Sequence, residues 1–210
     1  MRYILSEHPQ GTAEWKADRA GKATGSMASS IVAKGKSGEA VARRDYRVQL
    51  VTERLTGMPQ DEGFVNDAMK WGTDTEPFAR MAYESKVGMM VREAGFAYLP
   101  DLPVGCSVDG FIEGGGILEI KCPKSATHIE YLQGGKLPSK YEPQVLHNLY
   151  VTGEPFADFV SFDPRLPENL QMLYVRYTPT KEALKAYEDE LMLFLVSVDE
   201  LEADLRKRAA

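Results

Sequence analysis

Two carboxylates and a lysine in the middle of the chain have the residue types of a divalent-metal site. Asp109 precedes the turn Gly114-Gly115-Gly116, and Glu119 and Lys121 follow it. A run of glycines between two apolar segments is typical of a β-hairpin. Because side chains alternate between the two faces of a strand, we expect Glu119 and Lys121 to share one face, with the apolar residues between them facing the core.

The spacing also predicts how the two carboxylates meet. Asp109 and Glu119 each lie five residues from Gly114, so a regular hairpin would oppose them, with Cβ atoms about 5 Å apart. Two such carboxylates repel each other unless a cation lies between them, and oxygen ligands at this density suit Mg²⁺ or Mn²⁺. A nearby lysine can orient water and stabilise negative charge. On spacing alone, a surface hairpin in which Lys121 forms a salt bridge remains the alternative.

The same register makes a prediction about the cysteines. Cys106 and Cys122 each lie eight residues from Gly114, so they should face each other across the hairpin as reduced, neighbouring thiols. Two cysteines without a CxxC pair exclude a zinc ribbon, and a four-cysteine iron–sulfur cluster within the chain is excluded by their number.

Helical patterns dominate the first part of the chain. A helix should begin at Thr24 or Ser26 and run to about Val32, and longer helices are predicted over about 39–55 and 64–85. Three residues of the last helix should be core residues: Trp71, Phe78 and Tyr83.

Strands and two further helices follow. We predict strands over about 95–99, 104–112, 117–122, 156–162 and 170–177, and a helix over 141–151. A C-terminal helix should span about 179–208, with Pro179 in its first turn. This order indicates an α/β fold in which a small mixed sheet is flanked by helices. We expect one domain over 1–210, with its core over about 60–165.

Composition limits the class of protein. The 210 residues are 43% hydrophobic, which suits a packed core, and the formal net charge is −6. That charge counts against a protein that simply coats DNA, but not against one whose metal site needs carboxylates. No apolar run approaches the roughly 20 residues of a membrane span, and the N-terminal run is too short for a signal peptide. We therefore expect a cytoplasmic protein without a membrane segment.

Several ordered motifs resemble one known family. Asp109 and Glu119-Ile120-Lys121 are similar to the PD-(D/E)xK nuclease core, and the chain as a whole resembles the phage lambda exonuclease (YqaJ-type) family of viral alkaline exonucleases. The matching motifs are Gln10-Gly11-Thr12-Ala13-Glu14-Trp15, Arg19-Ala20-Gly21, Thr24-Gly25-Ser26, Trp71-Gly72, Glu76, Ser107-Val108-Asp109-Gly110, Leu118-Glu119-Ile120-Lys121-Cys122-Pro123, Tyr141, Gln144 and Phe162-Asp163-Pro164-Arg165.

The resemblance implies roles for residues of the reacting centre. Two Mg²⁺ ions, for which Mn²⁺ could substitute, would take oxygen ligands from Asp109, Glu119, Glu76 and the backbone carbonyl of Ile120. Lys121 would position the attacking water, and Gln144 would help to orient it.

The resemblance also implies DNA contacts. Arg19 and Ser26 would bind a terminal 5′-phosphate, a role that suits the planar guanidinium and a serine near a predicted helix N-terminus. Lys36 takes the place of an arginine that contacts the minor groove. Met69 takes the place of an apolar wedge that parts the DNA end, although a core role is as compatible with its sequence.

Together these roles imply a 5′→3′ exonuclease that degrades one strand of linear double-stranded DNA to mononucleotides. It would leave 3′ single-stranded tails for phage-type recombination, act as a ring-shaped homotrimer, and work with a single-strand annealing protein. The alternatives are a structure-selective endonuclease of the same fold and a non-catalytic module that binds DNA ends.

Overall fold

The computed structural model describes residues 3–60 and 67–209. The helices are α1 Ala13–Arg19, α2 Ala28–Ile31, α3 Val41–Thr56, α4 Asp67–Val87, α5 Ser125–Gly134, α6 Glu142–Thr152 and α7 Lys181–Ala209. The strands are β1 Ile4–Leu5, β2 Ala23–Thr24, β3 Val91–Arg92, β4 Phe96–Tyr98, β5 Val104–Ser107, β6 Gly110–Ile112, β7 Ile117–Lys121, β8 Ala157–Phe162 and β9 Met172–Tyr177. None of the helices in these ranges has the length and apolarity that a membrane crossing requires.

The strands form two mixed sheets. One sheet has the order β3-β6-β7-β8-β9, and only β7 and β8 run parallel. The other has the order β1-β4-β5-β2, with β2 and β5 parallel. The predicted α/β class, a small mixed sheet flanked by helices, is confirmed, and a second small sheet accompanies it.

The central strands are covered on both faces. Ile117 belongs to the larger core cluster, which α3, α6 and α7 help to form. Leu118 and Ile120 belong to a smaller cluster with Ala79 and Tyr83 of α4. Burial on both faces explains why the apolar residues of β7, Ile117, Leu118 and Ile120, do not simply alternate with polar ones.

The hairpin between β6 and β7 has the predicted register. Gly110 pairs with Leu118 and Phe111 with Ile117, which centres the hairpin on Gly114. All three residues of Gly114-Gly115-Gly116 have positive φ angles, 88°, 115° and 94°. Residues with a Cβ rarely adopt this conformation, so the turn requires glycine.

The prediction that the two cysteines face each other is wrong. The predicted strand 104–112 is broken between Ser107 and Gly110, and its first half, β5, pairs with β4 in the other sheet. Cys106 lies opposite Ala97 there and is buried in the larger cluster. Cys122 packs against the smaller cluster instead. The change of sheet at this point separates the two thiols.

Two helix predictions need correction. Residues 24–32 form a 3-10 turn, Gly25–Met27, followed by the short α2, without a side-chain cap from Thr24. In α4, Tyr83 is buried as predicted and Trp71 is half-buried, but Phe78 is 58% exposed. The buried face of α4 is formed by Thr75, Ala79 and Tyr83. Phe78 is the residue before Ala79, so its side chain points about 100° away from that face. The predicted start of this helix at Phe64 lies outside the described residues.

The C-terminal helix begins two residues later than predicted, at Lys181. The hydroxyl of Thr180 accepts a hydrogen bond from Ala183 N at 3.1 Å, as an N-cap residue does. Neither α1 nor α5 was anticipated from the sequence.

A buried polar contact fixes α4 to the central sheet. Tyr83 donates its hydroxyl hydrogen to Asp158 Oδ2 at 2.6 Å, and both residues are fully buried. Arg176 donates to both oxygens of Asp158 at 2.8 Å, and the Tyr174 hydroxyl donates at 3.3 Å. Since α4 also carries Glu76, this contact determines where that carboxylate lies.

We expect Tyr83→Phe to lower the free energy of unfolding by about 1.5–3 kcal/mol, because a buried hydrogen bond to a charged acceptor is lost. Urea denaturation would measure this change. Tyr174→Phe is the matched control: it removes a longer hydrogen bond to the same carboxylate from a half-buried ring, so its loss should be smaller. Equal losses in the two variants would contradict the role of Tyr83 as the anchor of α4.

Candidate active site

Glu119 is the centre of the site. Its side chain is 1% exposed, and three donors reach it. Lys121 Nζ and Gln144 Nε2 donate to Oε1, the latter at 2.5 Å, and Asn148 Nδ2 donates to Oε2 at 3.1 Å. The predicted common face of Glu119 and Lys121 is confirmed by their ion pair. The surface-hairpin alternative is wrong, because the carboxylate lies within the core.

The two amide donors come from one helix. Gln144 and Asn148 are four residues apart on α6, so they lie on the same face one turn apart. The helix starts at Glu142 with proline at its second position, where a missing N–H does no harm. A helix packed against the sheet thus supplies two uncharged donors to a carboxylate on β7.

Asp109 is held by the backbone of the facing strand. It lies between β5 and β6, where the chain leaves one sheet for the other. Its Oδ2 accepts a hydrogen bond from Ile120 N at 2.5 Å, and its own N–H donates to Leu118 O at 3.2 Å. These bonds bring the side chain to the strand that carries Glu119.

Glu76 approaches from α4 and completes the acidic group. Arg80, one helical turn later, donates to its Oε1 at 3.1 Å. Burial, followed by the charge of Asp109, raises the pKa of Glu76 to about 7. Glu76 and Asp109 line the same small cavity, together with Arg80, so these two carboxylates are neighbours.

The electrostatics of the group favour a cation. Burial raises the pKa of Glu119 to about 7, a shift that Lys121 opposes and Asp109 increases. Burial likewise raises the pKa of Asp109, again against Lys121. Burial lowers the pKa of Lys121, but the negative charges of Glu119 and Asp109 together have the larger effect and hold this pKa above its usual range. Lys121 and Arg80, the latter shared with Glu93, therefore balance the negative charge of the three carboxylates only in part.

The donor set fits Mg²⁺. Within residues 3–60 and 67–209, no three His, Cys, Asp or Glu side chains converge as a ready-made metal site. Mg²⁺ does not need one, since it commonly takes one or two carboxylates and completes its shell with water and substrate phosphate. Asp109 and Glu119 could supply the carboxylates and Ile120 its carbonyl oxygen. Glu119 Oε1 accepts two hydrogen bonds, but Glu119 Oε2 and Asp109 Oδ2 each accept one and keep a further lone pair.

A cleft of about 670 Å³ opens beside this group. Its lining includes Glu76, Lys121 and Tyr141, together with Met69 and Arg165. Met69 is 53% exposed, so it is not a core residue, and the structure places it in the same cleft as Lys121. The guanidinium of Arg165 lies 4.5 Å from the ring centre of Trp71.

A second cavity of about 340 Å³ contains the predicted phosphate-binding pair. Arg19 and Ser26 both line it, together with Lys16 and Lys22. The Arg19 guanidinium lies 4.1 Å above the ring of Trp15. The expectation that a helix N-terminus helps Ser26 is wrong, because only a 3-10 turn and a four-residue helix follow it. The positive character of this cavity comes from its side chains.

Two other polar residues are Lys36, which was predicted to contact DNA, and Asn148, which was not predicted from the sequence. Lys36 lies in an exposed loop closed by a bridge between Lys34 and Glu39, apart from both cavities. Asn148 was missed, although its four-residue spacing from Gln144 was a usable signal.

His147, between these amides, does not join the site. Its ring nitrogens bond to the Tyr187 hydroxyl at 2.6 Å and to Gly105 O at 2.9 Å, and burial lowers its pKa to about 4. His147 is therefore uncharged near neutral pH and has a structural role in the core.

Solved structures with a similar fold are exonucleases. The alkaline exonuclease LHK-Exo from Laribacter hongkongensis, also solved in complex with dAMP, is 35% identical, with a TM-score of 0.86 over 94% of this chain and 98% of that chain. A phage-related exonuclease from Haemophilus somnus 129PT is 14% identical, with a TM-score of 0.66 over 88% of this chain and 96% of that one. The latter similarity concerns the fold alone. No curated protein matches the chain.

The family resemblance read from the motifs is confirmed. Residues 14–155, more than half of the chain, match the model of the YqaJ-like viral recombinase domain. The matched region includes Asp109, Glu119 and Lys121, the residues that the hairpin brings together. The chain therefore belongs to the YqaJ-like viral recombinase family.

Proposed function

We propose that the protein is a Mg²⁺-dependent nuclease that degrades one strand of linear double-stranded DNA in the 5′→3′ direction and releases mononucleotides. The observation that carries the proposal is the placement of three carboxylates: Asp109 bonds to the strand that carries Glu119 and Lys121, and Glu76 lines a cavity with Asp109 and an open cleft with Lys121. The 35% identity to the alkaline exonuclease LHK-Exo, which was also solved in complex with dAMP, supports it.

The residues of the site have different roles in the proposed reaction. Asp109, Glu119 and the Ile120 carbonyl would hold one Mg²⁺ and Glu76 would help to hold a second, and such ions activate water and neutralise charge on a reacting phosphate. Because the pKa of Lys121 is raised, its ammonium group acts as a donor and not as a base. It orients the water and stabilises the negative charge that develops on the phosphate oxygens. Gln144, which shares Oε1 of Glu119 with Lys121, helps to fix that geometry.

The direction of digestion would be set by the cavity that Arg19 and Ser26 line. Hydrolysis of a phosphodiester has no inherent polarity, so the enzyme must recognise one kind of end. A terminal 5′-phosphate carries more negative charge than an internal phosphodiester and has an extra acceptor oxygen. Arg19 and Ser26 would bind that group, while Lys16 and Lys22 in the same cavity increase its positive potential.

Further features of the proposal rest on the family resemblance. Met69 would act as the wedge that parts the duplex end, which its exposure in the cleft allows. Lys36 would contact the DNA backbone from its loop. A closed homotrimer would keep the enzyme on its substrate, and the 3′ tails would pass to a single-strand annealing protein during recombination.

We expect Asp109→Asn and Glu119→Gln to reduce Mg²⁺-dependent cleavage of linear duplex DNA by at least about 100-fold, because each removes a charge on which metal catalysis depends. The melting temperature of Asp109→Asn in EDTA should not fall, since the repulsion between carboxylates is relieved, whereas that of Glu119→Gln should fall, because the new amide places a donor against a donor and leaves Lys121 without its ion pair. A gel assay on end-labelled linear duplex and on covalently closed circular duplex measures the first effect and separates an exonuclease from an endonuclease. Robust cleavage by either variant would refute the assigned metal site.

We expect the enzyme to digest 5′-phosphorylated ends faster than 5′-hydroxyl ends, and Arg19→Ala to remove most of the difference. A charge-assisted contact is worth about 1.5–3 kcal/mol, or roughly a 10- to 150-fold change in rate. Lys36→Ala is the control, because it lies outside the cavity and should leave the preference intact. Initial rates on duplexes that differ only in the 5′ group provide the measurement. Equal wild-type rates would remove the phosphate site from the proposal.

For assembly, we expect sedimentation equilibrium at micromolar concentration to give three times the mass of the chain. Processive digestion by a protein that sediments as a monomer would show that a ring is not the source of processivity.

A further inference from the structure

Asn148 lies between the two halves of the proposed active site. It is 1% exposed, and its Nδ2 donates to Glu119 Oε2 at 3.1 Å. Since Lys121 and Gln144 occupy Oε1, Asn148 is the donor that reaches the second oxygen. The terminal torsion of a glutamate is broad, so donors on both oxygens are needed to fix the plane of the carboxylate.

The other end of the same amide touches the turn that leads into the basic cavity. A Cβ added to Gly25 would stand 2.1 Å from Asn148 Oδ1, so this contact requires glycine. Gly25 is not among the glycines with positive φ, which means that close approach, and not backbone conformation, explains the residue. Ser26, the next residue, lines the cavity with Arg19.

A purely structural role does not explain an asparagine here. Its Oδ1 is buried without a hydrogen-bond partner among the described residues, and an unsatisfied buried acceptor costs about 1–3 kcal/mol. An apolar residue of similar size would avoid that cost. The amide supplies a hydrogen-bond donor to Glu119. An ionised carboxylate only accepts hydrogen bonds, so its neighbours must supply the donors.

We propose that Asn148 is a positioning residue that fixes the Glu119 carboxylate for metal binding and, through Gly25, holds it at a set distance from the cavity that receives the 5′-phosphate. This rests on the proposed function. One amide thereby joins the group that recognises the DNA end to the group that acts on the adjoining phosphodiester. Gly25 contributes by leaving room for that amide.

The first test is Asn148→Ala. We expect kcat to fall about 10- to 100-fold, as for the loss of a residue that orients a metal ligand, with little change in KM for DNA or in the preference for a 5′-phosphate. Mg²⁺ affinity, measured by calorimetry on the DNA-free protein, should fall by a similar factor. Thr152→Val is the matched control: Thr152 is buried one turn later on α6, but its hydroxyl bonds to backbone atoms, donating to Asn148 O and accepting from Glu154 N, and does not reach Glu119.

The second test approaches the same contact from the other side. Gly25→Ala should displace Asn148 and reproduce the loss of kcat and of Mg²⁺ affinity, although residue 25 belongs to the turn beside the phosphate cavity. Gly134→Ala is its control, since a Cβ there meets nothing within 4 Å. This variant keeps the proposal testable if Asn148→Ala does not fold.

The outcomes separate this proposal from the one on which it rests. If both test variants lower the melting temperature but keep wild-type kcat per folded molecule and wild-type Mg²⁺ affinity, Asn148 is only structural and the inference is overturned. If the wild type itself neither binds Mg²⁺ nor cleaves DNA, the proposed function fails and this inference fails with it. Wild-type activity combined with the specific losses above supports both.

Discussion

The burial of the Glu119 carboxylate in the middle of a core strand is the constraint on which the rest of the site depends. A buried charge costs several kcal/mol unless hydrogen bonds and opposite charges offset it. The ion pair with Lys121 from the same strand and hydrogen bonds from two amides of α6 offset this cost. The position of α6, the side chains on its inward face and the charge at residue 121 all follow from that requirement.

The same constraint explains why the site draws on so many elements. Asp109 comes from the crossing between the sheets, Glu119 and Lys121 from β7, and Glu76 from α4. The helix is held in turn by the contact between Tyr83 and Asp158. Carboxylates that repel one another are kept together because each is attached to a separate, well-packed element, so none can move away without disrupting a part of the core.

The sequence predicted the site where local rules decide geometry. The opposition of Asp109 and Glu119 follows from their equal distances to Gly114, because a glycine turn fixes the register of a hairpin. The roles of Gln144 and Glu76 came from resemblance alone, since one amide or one carboxylate on a helix has no pattern. Asn148 was missed because its four-residue spacing from Gln144, which places both amides on one face of α6, was not used.

The errors arose where tertiary structure overrides local pattern. The apolar alternation over 104–112 gives no sign that the chain changes sheets between Ser107 and Gly110, and the prediction for Cys106 and Cys122 failed with it. Phe78 is apolar but lies away from the buried face of α4. Which face of a helix meets the core depends on its partner, and that partner is distant in the sequence.

The crossing between β5 and β6 also bears on how the protein folds. Asp109 lies where the chain leaves one sheet for the other, and the hairpin of β6 and β7 is enough to bring it to Ile120. The rest of the group comes from distant elements, Glu76 from α4 and the two amide donors of Glu119 from α6. Contacts between residues far apart in sequence form late because loop closure must precede them. The three carboxylates and the donors of Glu119 therefore come together only in chains in which α4 and α6 have packed against the strands, and an incompletely folded molecule would lack the assembled group.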